Sequence, residues 1–320
     1  MRAHLIAAAL LLVAAGCATA PAAQPMPTPT ATPPAVTPPA LDPADRGVPG
    51  FDTRAYPGDT VMEAWLGASP YRWVGYYLPA PCHTDTTWVG RRQALERMGW
   101  GTAVIFTGEQ DWGATATVAG PSASSGGETP RCTRANLNAA QGTADAAAAD
   151  SATAAEGFPT GSTIYLDVER VDSVSTPLAS YVRAWVSAVL EAGRFQPGLY
   201  AHVHNADSLR AIQERELARR GLSGGCFWVA GSAVAAVAAP TPASPAPTAA
   251  RPSTTTPPPA ATASPMAGGF DLAAAPAESG LPYVTVWQGA HDARQGWAGT
   301  TLRIDVNVAS RRSPSAPPTP

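Results

Sequence analysis

The chain has 320 residues and a formal net charge of -3, with 34 prolines, 29 glycines and only 14% charged residues. No Lys/Arg stripe is present, which excludes a nucleic-acid-binding surface of the usual electrostatic kind. The prolines cluster at about 21–49, at about 239–265 and in the last few residues, which leaves roughly 220 patterned residues, enough for one sizeable core.

At the N-terminus, Arg2 and His4 precede the apolar run Leu5 to Ala15. That run is too short for a permanent membrane span and reads as a secretory signal peptide over 1–16. It ends in Val13-Ala14-Ala15-Gly16-Cys17, which resembles a bacterial lipobox with Cys17 as the lipidated residue. An ordinary signal peptide cut near Ala18-Thr19-Ala20 is the alternative. The expected location is therefore exported and membrane-anchored through Cys17. In a Gram-negative cell, the absence of an aspartate after Cys17 implies the outer membrane, facing the periplasm. Residues 17–48, rich in Pro, Ala and Thr, are expected to form an extended tether.

The domain is expected to run from 49 to 310, with strands and helices alternating. Phe51-Asp52 makes a short first strand, and Asp59 to Leu66 an amphipathic stretch. Tyr71 to Leu78, rich in aromatic and β-branched residues, is the second strand. A helix over about 88–98 leads to the strand Ala103–Phe106, and the alanine-rich stretch 135–156 is a long helix. The fourth strand is Thr163 to Glu169. Thr176 and Pro177 supply a cap and a first-turn proline for the next helix. Its Leu178, Tyr181, Val182, Trp185, Val189 and Leu190 recur on one face, and Gly193 closes it.

Strands then follow at 198–203, 226–230, 283–288 and 302–306, with a fifth helix at about 207–219. Alternation of this kind implies a parallel sheet. Eight strands with about five helices favour an α/β fold of the TIM-like β/α-barrel type. The segment 232–269, between the sixth and seventh strands, cannot build a core and is expected to be a low-complexity surface insert. Residues 311–320 are expected to be a disordered tail.

Export brings an oxidising compartment. Cys82 and Cys132, both in Pro/Gly-rich loops, are the expected disulfide, and Cys226, opening an apolar strand, reads as a buried thiol. No cysteine pair has metal-ligand spacing, and no cofactor or resident metal is expected. His202 and His204 read as polar strand-end residues rather than ligands.

Functional residues of a barrel sit at the C-terminal ends of its strands, and here those ends carry acids. Asp52 ends the first strand, Asp167 and Glu169 the fourth, and Asp305 lies in the eighth. Residues i and i+2 of a strand share a face, roughly 6.5–7 Å apart, so Asp167 and Glu169 point to one side. An acid pair of this type is what glycosidic cleavage requires.

Gly50-Phe51-Asp52, Tyr165-Leu166-Asp167-Val168-Glu169 and Ile304-Asp305-Val306-Asn307 resemble the motifs of family 25 glycoside hydrolases, the Chalaropsis-type lysozymes. A closer resemblance is to the glycoside-hydrolase-like domain of unknown function 1906, through Gly-Phe-Asp, the strand Val74-Gly75-Tyr76-Tyr77-Leu78, and a helix leading to Val104-Ile105-Phe106. The resemblance implies Glu169 as general acid, Asp167 as transition-state stabiliser or orienting group, and Asp52 and Asp305 as further cleft residues. Glu109 is another candidate, with a loop-exposed role as its alternative. Tyr76, Tyr77, Trp228 and Trp287 are candidates to stack on sugar faces, barrel packing being the alternative, and Gln288 joins them as a substrate contact.

Three functions stay open on the sequence: hydrolysis of a cell-wall or envelope glycan, glycan binding without chemistry, and a divalent-metal site built from the same acids. The expected partners are a glycan such as peptidoglycan and a membrane at Cys17, with the chain acting as a monomer. Metabolic labelling with a fatty-acid probe should mark the wild type and lose the mark in Cys17→Ser; labelling that survives the substitution refutes the anchor.

Overall fold

The computed structural model describes residues 46–111, 132–233 and 266–317. The leader, Cys17, most of the tether and residues 234–265 of the insert lie outside them. Eight strands close a barrel: β1 (Val48–Asp52), β2 (Trp73–Tyr77), β3 (Gly101–Thr107), β4 (Thr163–Val168), β5 (Gln196–His202), β6 (Phe227–Ala230), β9 (Val286–Trp297) and β10 (Thr300–Ala309). A two-stranded hairpin, β7 (Met266–Ala267) and β8 (Phe270–Asp271), forms a separate sheet that packs on β9 through Phe270 and Trp287. Five α-helices connect the strands: α1 (Asp59–Ala68), α2 (Arg92–Met98), α3 (Ala139–Ala155), α4 (Thr176–Ala192) and α5 (Val203–Ala218). Among the described residues no helix is long and apolar enough to cross a membrane.

The barrel order is β1-β10-β9-β6-β5-β4-β3-β2, and it corrects the expectation of an all-parallel sheet. β9 and β10 form an antiparallel hairpin, and β10 pairs antiparallel with β1. The reason is local. The turn between β9 and β10 is only two residues long, and a two-residue connection permits an antiparallel pair but no parallel crossover.

Helix α4 shows how sequence sets an element. Its cap is Ser175, one residue before the expected threonine, and the Ser175 hydroxyl accepts from Leu178 N at 3.3 Å. Gly193 ends it in the left-handed conformation, φ 68°. The apolar stripe Leu178, Tyr181, Val182, Trp185, Val186 and Val189 is buried. The alanine-rich α3 carries little amphipathic pattern of its own and packs on α4, where Gly142 leaves a Cβ position only 2.3 Å from the Tyr181 carbonyl oxygen.

Strand alternation divides the core into two layers. Trp65, Val74, Tyr76, Trp88, Val104, Leu166 and Trp185 pack between strands and helices. Trp73, Ala103, Ile105, Tyr165, Trp228, Val286 and Ala309 fill the barrel interior. Trp228 is the hub of that interior. Trp73, Tyr165 and Tyr200 each meet its ring edge to face, with centroids 5.5–5.7 Å apart, the geometry aromatic quadrupoles prefer. Gly50 admits this packing, since a Cβ there would lie 2.1 Å from the Trp73 ring.

Two boundary expectations are corrected. The end of the insert, residues 266–269, joins Phe270 and Asp271 beyond it in the β7–β8 hairpin, with Ala267 and Phe270 buried. Residues 311–317 are not a free tail but lie across the lower end of the barrel. Ser315 is buried; its hydroxyl accepts from Val104 N and its carbonyl from Thr163 N. These amides belong to β3 and β4 and would otherwise be orphaned, a costly state for buried donors.

Candidate active site

Inward-facing residues at the upper ends of the strands line a small pocket that opens to solvent: Asp52, Tyr77, Ile105, Asp167, Glu169, Tyr200, Trp228, Gln288 and Asp305. The four expected acids therefore converge. Asp52 and Asp305 are direct partners in the β1–β10 register, and Asp167 and Glu169 follow one another on the inward face of β4 and its extension.

A polar scaffold fixes each carboxyl. Tyr77 Oη donates to Asp52 Oδ1 at 2.7 Å and Asn307 Nδ2 to Asp52 Oδ2 at 2.9 Å. Trp228 Nε1 in turn donates to Asn307 Oδ1 at 3.1 Å, which ties the barrel hub to the site. Thr107 Oγ1 donates to Asp167 Oδ2 at 3.0 Å, whereas Asp167 Oδ1 is buried and has no hydrogen-bond partner. Gln110 holds the backbone between the paired acids: its Nε2 donates to the Asp167 carbonyl, and its Oε1 accepts from Glu169 N.

Asp305 is held by a bulge. The β9–β10 register jumps around Asp305, so that two residues of β9, His291 and Asp292, lie opposite this one residue of β10, with Asp292 at φ 50°. That jump turns Asp292 N toward Asp305 Oδ1, 2.7 Å away, and places His291 Nδ1 3.8 Å from Asp305 Oδ2. Gln288 Nε2 donates to Asp305 Oδ2 at 2.8 Å. Bulges are a recurrent means of re-aiming a side chain beside a site.

Burial dominates the electrostatics, because a desolvated carboxyl favours its neutral form. Asp52, 4% exposed, is pushed up to about 7 by burial and then by the Asp305 charge, against the hydrogen bonds from Tyr77 and Asn307. Asp167 is raised well above the usual range by burial and then by the charge of Glu169. Glu169 is raised by burial, opposed by His291. His291 is raised by its proximity to Asp305.

Tyr77, Trp228 and Gln288 line the pocket as expected. Tyr76 and Trp287 do not, and the period of two along a strand is the reason. Tyr76, between the inward Gly75 and Tyr77, points outward and donates to the Trp88 carbonyl. Trp287, next to the inward Gln288, packs on Phe270 and donates to the Gly231 carbonyl. Trp228 presents no open face for a sugar, since it is 1% exposed. Glu109 is neither loop-exposed nor in the pocket. It is buried and accepts from Thr133 N and Asn136 Nδ2, pinning the segment next to Cys132. Cys132 is bridged to Cys82 with Cα atoms 4.8 Å apart; Cys226 is a half-buried free thiol.

Sequence reasoning passed over Asn307, Tyr200, Gln110, His291 and His83. Asn307 was reachable, two residues beyond Asp305 on the same face, and Tyr200 is the register partner of Asp167 on β5. His291 depends on a bulge and Gln110 on a loop, neither with a sequence signal. His83 stacks on Tyr77, ring centroids 4.6 Å apart, and burial lowers it to about 4. Among the described residues no three of His, Cys, Asp and Glu are grouped to hold a metal ion.

The model of the Rv2525c-like, glycoside hydrolase-like domain matches residues 63–309, most of the chain. The chain belongs to this family. The match takes in Asp167, Glu169 and Asp305 and begins after Asp52. No curated protein matches the sequence. Among solved structures the chain is similar to an uncharacterized protein of B. stearothermophilus, with 18% identity over 83% of this chain and 97% of that one and a TM-score of 0.44. It is similar to the spore cortex lytic enzyme SleM of Clostridium perfringens, with 10% identity, 84% and 68% coverage and a TM-score of 0.46. It is also similar to the Tat-secreted protein Rv2525c of Mycobacterium tuberculosis in complex with L-tartrate, with 15% identity, 82% and 95% coverage and a TM-score of 0.43.

Because the folded pKa of Asp52 exceeds its unfolded value, the native state holds a proton that the unfolded chain has released between about pH 4 and pH 7. Stability should be greatest below that window and fall as pH rises through it. One such group contributes about 1.4 kcal/mol per pH unit. Urea unfolding across pH 4–8 should show this decline, and Asp52→Asn, whose amide can still serve Tyr77 and Asn307, should flatten it. Equal slopes in the two proteins would contradict the assignment.

Proposed function

We propose that this is an exported glycoside hydrolase that cleaves a cell-wall or envelope glycan by carboxylate acid–base chemistry. The observation that carries the reading is the state of Asp167 beside Glu169: a deeply buried carboxyl with one oxygen unpartnered, in a pocket that its neighbour reaches from the rim. A buried acceptor without a partner is costly unless something fills the pocket. Glu169, partly exposed and raised by burial, is the proton donor to the leaving oxygen. Asp167 shapes the field around it, and Asp52 and Asp305 face the positive charge that develops on the sugar ring.

Export rests on the leader and the Cys17 lipobox, and the Cys82–Cys132 bridge suits an oxidising compartment. A second reading, a glycan-binding module without turnover, draws on a specific feature. Asp52, Asp167 and Glu169 all have raised pKa values, and neutral carboxyls donate hydrogen bonds to sugar hydroxyls as readily as they serve catalysis.

A reducing-end assay on purified peptidoglycan separates the two. Wild type should release sugar ends, faster as pH falls through the raised pKa of Glu169. Glu169→Gln should lose about 10²–10⁴ in rate with its melting temperature and glycan affinity kept. Binding without release in the wild type would establish the module instead, and neither binding nor release would reject both.

A further inference from the structure

The polar inventory of the pocket is one-sided. Four of its nine lining residues are carboxylic acids and none is Lys, Arg or His. Apart from the Tyr200 hydroxyl, the donors that face it are already engaged: Tyr77 Oη and Asn307 Nδ2 on Asp52, Thr107 Oγ1 on Asp167, and Gln288 Nε2 on Asp305. The acceptor left over, Asp167 Oδ1, belongs to a residue only 7% exposed. Arg54 and His291, the cations whose charge the cleft acids feel, stand outside the lining.

An N-acetyl group would bring a carbonyl acceptor and a methyl to this site, where four carboxyls converge beside the single free hydroxyl of Tyr200 and no cation stands in the lining. An ammonium would bring three donors and the complementary charge. Resting on the glycan reading above, we propose that the pocket selects amino sugars whose nitrogen is a free amine, so that the ligand is a de-N-acetylated glycan with its ammonium at Asp167 Oδ1. The arriving cation draws the neighbouring carboxyls into their charged form, and binding releases protons to solvent. Affinity therefore rises with pH through the raised carboxylate range and falls once the sugar amine itself loses its proton.

Titration calorimetry of the purified protein at pH 7 with a β-1,4-linked glucosamine tetramer and its fully N-acetylated counterpart tests this. The free-amine tetramer should bind about tenfold tighter or more, the factor expected from one charge-assisted hydrogen bond. Its heat should depend on the ionisation enthalpy of the buffer, as proton release demands. Asp167→Asn should bring the two affinities together, with Glu169→Gln as a second variant should the first not fold. Equal or tighter binding of the acetylated tetramer overturns amine selection while leaving the glycan reading intact. Binding of a tetralysine peptide as tight as that of the glucosamine tetramer overturns it too, by reducing the preference to bulk charge. Failure of both tetramers and of peptidoglycan to bind removes the underlying reading.

Discussion

The antiparallel seam between β1 and β10 sets Asp52 and Asp305 side by side at the upper rim of a closed barrel. Closure buries Asp52 and leaves Asp305 partly exposed at the rim, and the energetic consequences run through the whole site. A carboxyl stripped of solvent favours its proton, and a second carboxyl alongside strengthens that preference. The inner wall answers with hydrogen bonds to Asp52 from Tyr77 and Asn307, and Asn307 is steadied by Trp228 at the centre of the barrel. The packing hub and the chemical site therefore share a network, and a change at Trp228 reaches Asp52 through a single intermediary.

Burying several acids in one cavity works against stability, and the fold offsets it with rigid support from behind. Glu109 and the Cys82–Cys132 bridge hold the segments that follow β2 and β3. Gln110 clamps the backbone at Asp167 and Glu169, and the bulge in β9 supplies the donor for Asp305. At the other end, Ser315 occupies two amides of the lower rim. The site is thus fixed by groups that do not line it, as a preorganised constellation needs.

The eight barrel strands and five helices were legible because each carries a strong local signal: aromatic and β-branched runs, the cap and stripe of α4, the acids at strand ends. The direction of the last strand was not, since a hairpin with a two-residue turn and a parallel crossover leave similar apolar patterns around Val286 and Ile304. Alternation alone separated Tyr77 from Tyr76 and Gln288 from Trp287, once the inward face of each strand was fixed. Ser315 lay hidden in a proline-rich sequence whose composition suggested disorder, although its hydroxyl and carbonyl accept from amides of β3 and β4. His291 owes its place to a bulge, which hydrophobic periodicity does not register.

The central claim is that burial in the closed barrel raises Asp52, Asp167 and Glu169 above the ordinary carboxylate range. Carbon-13 NMR of the side-chain carboxyls, titrated from pH 3 to pH 9 and assigned through Asp52→Asn, Asp167→Asn and Glu169→Gln, reads it directly. Asp52 should titrate with a midpoint of about 7, and Asp167 and Glu169 should both titrate above the ordinary carboxylate range. Midpoints for all three near 4, the value of solvated carboxylates, would contradict the account.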